Sequence, residues 1–200
     1  METRVIDRMD LLQVLGHIAP LSQAYQERLR DQLETQQYPA RHLLLQPGDI
    51  CRRIYFISSG LVRIYMIDEE GRERTIMFMG PGELAVDVSS FYEQTPATEY
   101  LETLQETIIQ SLNWHQLNTF YADFKEGNYI GRIITQKYLV LAVERNMELL
   151  TSNLEKRYES LLRQFPHIEQ QVSQTHIASY LGISRETLSR LKSDQLKRGQ

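Results

Sequence analysis

The apolar positions of this chain change their period more than once. Leu11, Leu12, Leu15 and Ile18 recur at helical spacing before Pro20, and Ser22 is placed to cap a second helix through Leu33. From about residue 36 to 113 the texture becomes short apolar runs: HLLL, IYFI, LVRIYMI and TIMFM. Pro39, Pro47, Gly48, Gly60, Gly71, Gly80, Pro81, Gly82 and Pro96 punctuate them. Asp68-Glu69-Glu70-Gly71 between two such runs predicts a hairpin. Strands at this even spacing predict a small all-β sandwich or jelly roll.

Residues 114–151 contain no proline, and their only glycines are Gly127 and Gly131. The spacing predicts one long helix over Lys125–Thr151, roughly 40 Å at about 1.5 Å per residue. Ile133, Val140, Val143, Met147 and Leu150 form one stripe; Ile130, Ile134, Tyr138 and Leu141 form a second beside it. Two stripes suit two packing partners, the chain's own β region and the same helix of a second copy. A single wide core face is the plainer alternative, and Gln136 interrupts the seam.

Composition narrows the class. The chain has 200 residues, 42% of them hydrophobic and 24% charged, which is ordinary globular usage. No apolar run approaches a membrane span, and METRVIDRMD is too charged for a secretory leader, so a cytoplasmic protein with no membrane partner is expected. The single cysteine, Cys51, allows neither an internal disulfide nor a thiolate metal cage. The net charge of −4 hides an asymmetry. Residues 1–150 carry 14 Lys and Arg against 21 Asp and Glu, whereas residues 151–200 carry 8 against 5. A basic tail on an acidic body suggests a local nucleic-acid surface rather than a coating protein.

The tail holds a motif that gives this asymmetry meaning: QTHIASYLGISRETLSRL, from Gln174 to Leu191. Ser173 can cap a short helix whose apolar positions are Ile177 and Leu181, with Ala178 where a second helix must cross closely. Gly182 can take positive φ and reverse the chain, and Ile183 buries at the turn. Ser184 can cap the next helix, held to the first by Leu188 and Leu191. Arg185, Glu186, Ser189 and Arg190 then face outward. A helical hairpin with no ligand has the same outline, but this combination of small, apolar and capping residues is that of a DNA-reading helix-turn-helix. Arg can bond guanine O6 and N7 in bidentate fashion, and Glu can accept from cytosine N4.

ISRETLSR resembles the recognition helix of the Crp/Fnr family of bacterial transcription regulators. LLLQPGDICRRIYFISSG is similar to that family's cyclic-nucleotide-binding signature, with Gly48 and Asp49 turning the chain, Cys51 in a small-residue slot and Gly60 turning again. GPGELAV resembles the start of the phosphate-binding cassette. The resemblance covers nearly the whole chain in the family's order. It implies an α+β protein: a double-stranded β-helix (jelly roll) sensor domain with N-terminal helices over 1–124, a dimerisation helix over 125–151, and a helix-turn-helix domain over 152–200. The implied partners are double-stranded DNA, a second copy of the chain and, as a candidate, RNA polymerase.

The resemblance assigns roles residue by residue. Arg185, Glu186 and Arg190 on helix 184–194 read bases, and Ser184, Thr187, Ser189, Lys192 and Lys197 face the backbone. Ile133, Val140, Val143, Met147 and Leu150 form the dimer seam. The effector pocket of the roll falls to Glu83, Leu84, Thr95 and Thr98, with Arg63 and Arg74 placed to line or rim it; a solvated surface position is the plainer reading of these two arginines. Three departures matter. Thr95-Pro96-Ala97-Thr98 stands where the family's Arg-Ser pair cradles a cyclic phosphate, so no cofactor is identified and cyclic AMP or GMP is not expected to bind, although Glu83 matches the ribose-bonding residue. One cysteine cannot hold an iron–sulfur cluster. The stretch after the recognition helix is short, so the family's wing is expected to be short or missing, with Lys192, Lys197 and Arg198 as substitutes.

Other chemistry is poorly supported. His17, His42, His115, His167 and His176 show no ligand-pair spacing, so no metal site is expected. Gly80-Pro81-Gly82 lacks the Lys and Ser/Thr of a nucleotide-hydrolysing loop. Asp68, Glu69 and Glu70 read as a solvated hairpin tip. A jelly-roll enzyme would need a histidine cluster, and the β region has only His42, so the chain is not expected to be an enzyme. The second reading is a ligand-sensing or protein-interaction module whose helix-turn-helix no longer reads DNA.

Overall fold

The computed structural model describes residues 8–198, with side chains to residue 194. Asp10 caps α1 (Leu11–Ile18) by accepting from the Gln13 N–H, and Ser22 caps α2 (Gln23–Gln32) by accepting from Tyr25. The roll follows: β1 (Glu34–Tyr38), β2 (Leu43–Leu45), β3 (Arg53–Ser59), β4 (Val62–Ile67), β5 (Glu73–Met79), β6 (Leu84–Ala85), β7 (Tyr100–Thr103) and β8 (Thr107–Asn113). They form two four-stranded sheets, in the orders β1-β8-β3-β6 and β2-β7-β4-β5. Successive strands cross repeatedly from one sheet to the other, the topology of a jelly roll. Gly60 shows why the β3–β4 turn needs glycine. Its φ is +100°, and an added Cβ would lie 2.4 Å from the Thr107 hydroxyl.

Three helices accompany the strands. α3 (Val88–Glu93) lies between β6 and β7, α4 (Trp114–Asp123) follows β8, and α5 (Lys125–Thr151) is the long helix with the predicted bounds. α3 and α4 are additional to the elements that the sequence pattern predicts. α4 opens on a capping box, Asn113 accepting from Gln116 N while the Gln116 side chain accepts from Asn113 N. The N-terminal helices, the first turns of α5 and the roll share one core of Leu11, Leu15, Tyr25, Leu29, Phe56, Leu112, Phe120 and Ile130. Truncating a buried ring such as Phe56 costs about 3–5 kcal/mol in a core of this kind.

Beyond α5 come α6 (Leu154–Gln164), α7 (Ile168–Gln171), α8 (Gln174–Leu181) and α9 (Arg185–Arg198). α9 extends past the predicted limit of residue 194 because nothing breaks the helix before Gly199. Among the described residues no strand follows it. The chain divides into two compact units. One takes the chain up to Ile64 together with Phe78–Tyr138; the other joins Tyr65–Met77, the outer part of the β4–β5 hairpin, to the chain from Leu139 onward. No helix among the described residues is long and apolar enough to cross a membrane.

Candidate nucleic-acid interface and sensor cassette

The helix pair α8–α9 is built by its caps and its inward face. Ser173 accepts from His176 N at 3.2 Å to start α8. Gly182 ends it at φ +71°, its N–H directed to the carbonyls of Ala178 and Ser179. That left-handed geometry strains any residue with a side chain. Ser184 accepts from Thr187 N at 3.2 Å to start α9. Leu188 and Leu191 are buried, as are Ile177, Ala178 and Leu181. Ile183, which follows the Gly182 turn, is half-buried rather than buried.

This packing leaves Arg185, Glu186, Ser189 and Arg190 exposed on one face, with Thr187 half-exposed at its edge. The Glu186 carboxyl is held below its usual pKa by its own backbone N–H first, then by Ser184, with Arg185 and Arg190 adding attraction. It is therefore a charged acceptor at neutral pH, flanked by two donors. Lys192 is placed otherwise. Its ammonium pairs with Glu169, which also accepts from the Tyr158 hydroxyl at 2.6 Å. Burial alone would raise the Glu169 pKa, but these two partners hold it below the usual value. The side chains of Lys197 and Arg198 lie outside the described residues. Sequence reasoning missed a groove of about 550 Å³ beside α9, lined by Asn153, Leu154 and Glu155 at the start of α6 and by Thr187, Arg190, Leu191 and Asp194. The Asn-Leu-Glu start of α6 was its available signal, since Asn153 caps that helix through Lys156 N.

The two stripes of α5 separate by exposure. Ile130 is buried, and Ile134, Tyr138 and Leu141 are half-buried. Val140, Val143, Met147 and Leu150 are 54%, 54%, 52% and 74% exposed, and Ile133 is half-buried.

The six candidate effector residues lie on several elements of the roll and its loops. Arg63 is buried on β4, 3.8 Å from the Glu102 carboxylate on neighbouring β7. Arg74 lies at the hairpin tip, where its Nε donates to Asp68 at 2.7 Å. Glu83 accepts from Gly80 N at 2.7 Å and so closes its own turn. Leu84 packs against the core shared with the N-terminal helices, and its N–H donates to the Tyr138 hydroxyl at 2.6 Å. Thr95 contributes its carbonyl to the Ser90 hydroxyl, and Thr98 its N–H to Asp87 at 3.2 Å.

The centre of the cassette is instead Asp87, absent from the sequence reading. It is 3% exposed and caps α3, accepting from Ser90 N at 2.9 Å with one oxygen and from Thr98 N with the other. Ser90 in turn donates to the Thr95 carbonyl and accepts from the Cys51 N–H at 2.8 Å. Burial, and then the Asp87 charge, push the nearby Glu99 carboxyl up to about 7. Burial likewise raises the Cys51 thiol. A cassette with a buried carboxylate on its amides repels an anion rather than attracting one. Asp-Val-Ser-Ser, a capping residue with Ser three positions on, was the signal for it. Among the described residues no group of three or more His, Cys, Asp and Glu side chains is arranged to hold a metal.

Comparison with known proteins agrees with this architecture. The cyclic nucleotide-binding domain family matches residues 35–124. The CRP-like cAMP-activated global transcriptional regulator of Mycobacterium tuberculosis is 26% identical over 184 residues, spanning 86% of this chain and 81% of its own. The nitrogen fixation regulation protein FixK of Rhizobium meliloti is 27% identical over 158 residues, 76% of this chain and 70% of its own. In fold, FixK2 of Bradyrhizobium japonicum superimposes with a TM-score of 0.72 at 18% identity, covering 84% of this chain and 86% of that one. With a roll that matches the cyclic nucleotide-binding domain, relatives named as transcription regulators along most of the chain, and a helix pair with its polar face outward, this chain is similar to the DNA-binding transcription regulators of the Crp/Fnr family.

Proposed function

We propose that the chain acts as a homodimer that reads an inverted-repeat operator with two copies of α9, set about one DNA turn, roughly 34 Å, apart. The observation that carries this reading is the outward face of α9, where Arg185, Glu186 and Arg190 converge on a helix fixed by Leu188 and Leu191. Arg185 and Arg190 read guanines and Glu186 a cytosine; Ser184, Thr187 and Ser189 flank the backbone. The exposed stripe of Val140, Val143, Met147 and Leu150 is the seam between copies, with Ile133 at its end. The protein works by binding rather than catalysis, and RNA polymerase is the next partner of a DNA-bound regulator of this kind.

In the cassette, Asp87 supports weak or absent binding of cyclic AMP and cyclic GMP, because it already accepts from the Thr98 amide and adds negative charge. An effector of this roll is then uncharged or cationic.

Selection of duplexes from a random pool tests the reading. An inverted repeat should emerge, and Arg185→Ala should relax one position of each half-site. A uniform loss of affinity with base preference intact would make Arg185 a phosphate anchor only. If no duplex is selected, the helix pair is a protein-interaction module. Sedimentation of Val140→Asp, which buries a charge in the seam, should give monomer where the wild type gives dimer. A monomeric wild type at micromolar concentration removes the seam.

A further inference from the structure

The second compact unit contains a contact for which neither the DNA-reading face nor the cassette accounts. β5 is the outer strand of its sheet, and the outer side of such a strand presents backbone donors and acceptors in search of partners. Along that side, the Thr75 N–H donates to the Ser179 hydroxyl at 2.8 Å, and the same hydroxyl donates to the Glu73 carbonyl at 2.8 Å. Residues 73 and 75 are two apart on the strand, so their backbone groups point the same way. One serine on α8 therefore bridges both. A serine inside a helix commonly points its hydroxyl to solvent or back onto the carbonyl of its own preceding turn. Ser179 turns it out, onto a strand more than a hundred residues earlier. Beside it, His176 Nε2 lies 3.8 Å from the Glu73 carboxylate, one helical turn along α8.

The next residue fixes α8 from another direction. The Arg145 guanidinium stacks 3.8 Å from the Tyr180 ring centroid and donates to the Tyr180 carbonyl, while Arg145 also pairs with Glu148 at 3.2 Å. The first helix of the reading pair is thus tied to the hairpin by Ser179 and to α5 by Tyr180. The hairpin tip is itself a stiff body. Asp68 accepts from the N–H groups of Glu70 and Arg72, from Arg72 Nε at 3.0 Å and from Arg74 Nε at 2.7 Å.

We propose that the outer edge of β5 is a docking seat for α8, closed by the Ser179 hydroxyl, through which the hairpin sets the position of the reading helices. Strands β4 and β5 run on from the roll, so a change of hairpin tilt is passed to α8 by hydrogen bonds and not only along α5. This deepens the DNA-reading proposal by naming its control, and it rests on α8–α9 being the reading pair.

Amide hydrogen exchange on the full chain tests it without DNA, so its failure is separable from failure of the DNA reading. In Ser179→Ala the Thr75 amide should exchange about tenfold faster, the loss of one hydrogen bond. Ser179→Thr, which keeps the hydroxyl, should restore protection. Asp68→Ala loosens the hairpin tip and should speed exchange across Ile177–Leu181 by about threefold with Ser179 present, but add nothing in the Ser179→Ala background. Unchanged Thr75 exchange in Ser179→Ala overturns the seat. An Asp68→Ala effect on α8 that is equal in both backgrounds, or absent from both, overturns the coupling. Should Ser179→Ala not fold, His176→Gln with Asp68→Ala makes the same cycle on the flanking pair, judged by the same two outcomes.

Discussion

The reading helices and the cassette use their polar groups in opposite directions. In α8–α9 the apolar residues turn inward and Arg185, Glu186 and Arg190 face solvent with room for a ligand. In the cassette the polar groups face one another: Asp87 takes the amides of Ser90 and Thr98, and Ser90 joins Cys51 to Thr95. The first arrangement is preorganised for a partner. In the second, Asp87 and Ser90 are bonded within the protein. The two sites therefore differ in where their polar groups point, outward from the helix pair and onto one another in the cassette, and side-chain bonding shows this where fold similarity does not.

The sharpest way to break this contrast is to remove one residue from each side. Arg185→Ala should cost about 1–3 kcal/mol of DNA affinity per half-site, hence about twice that for the dimer, and leave the melting temperature unchanged. Asp87→Ala should do the reverse. It removes the cap of a six-residue helix and leaves the buried Ser90 amide and the partly buried Thr98 amide without their acceptor, so unfolding should be easier by about 1–3 kcal/mol, with base preference intact. Anisotropy titration and urea denaturation of both variants measure the four values. If Asp87→Ala weakens DNA binding as much as Arg185→Ala does, the two sites are not separate in function.

What the sequence revealed follows the same divide between local and distant partners. The helix-turn-helix was legible because its signals are local: Ser173 and Ser184 as caps, Gly182 at the turn, leucines at helical spacing. α5 was legible because no breaker interrupts Lys125–Thr151. The cassette was not. Glu83 and Asp87 lie four residues apart and are both acidic, and only the fold shows that one closes a turn while the other reaches Thr98, eleven residues on. The Arg63–Glu102 pair needed the knowledge that β7 lies beside β4. α3 and α4 carried capping signals at Asp87 and Asn113, but in a stretch dominated by strand periodicity.

Acidity in the cassette gives a third, smaller effect. The folded pKa of Glu99, about 7, lies above the ordinary value near 4.5. The unfolded chain therefore gives up this proton first, and stability falls as pH rises from about 4.5 to about 7, then levels. Glu99→Gln should remove that slope. It should stabilise the protein by on the order of 1–2 kcal/mol at pH 8, allowing for partial solvent screening, and change little at pH 4.5. Parallel denaturation series across that range give the answer; an identical slope in both proteins would mean that Glu99 ionises normally in the fold.

The smallest effect concerns a residue that sequence reasoning put on the DNA side and the fold ties to the protein. The Lys192 ammonium pairs with Glu169, whose other partner is Tyr158, so its charge is neutralised within the helical unit. The pair is only partly buried, with side-chain exposures of 28% and 35%, so its contribution to stability is about 0.5–1 kcal/mol. A lysine on a phosphate contributes close to one unit to the salt dependence of binding, because it releases one condensed counterion. Lys192→Met separates these roles. With the ammonium on Glu169, the variant should lose a fraction of a kcal/mol of stability and keep the wild-type slope of log affinity against log salt. A slope shallower by about one unit per subunit, with stability unchanged, would show that Lys192 leaves Glu169 for the backbone when DNA binds, and would return it to the reading face beside Arg185 and Arg190.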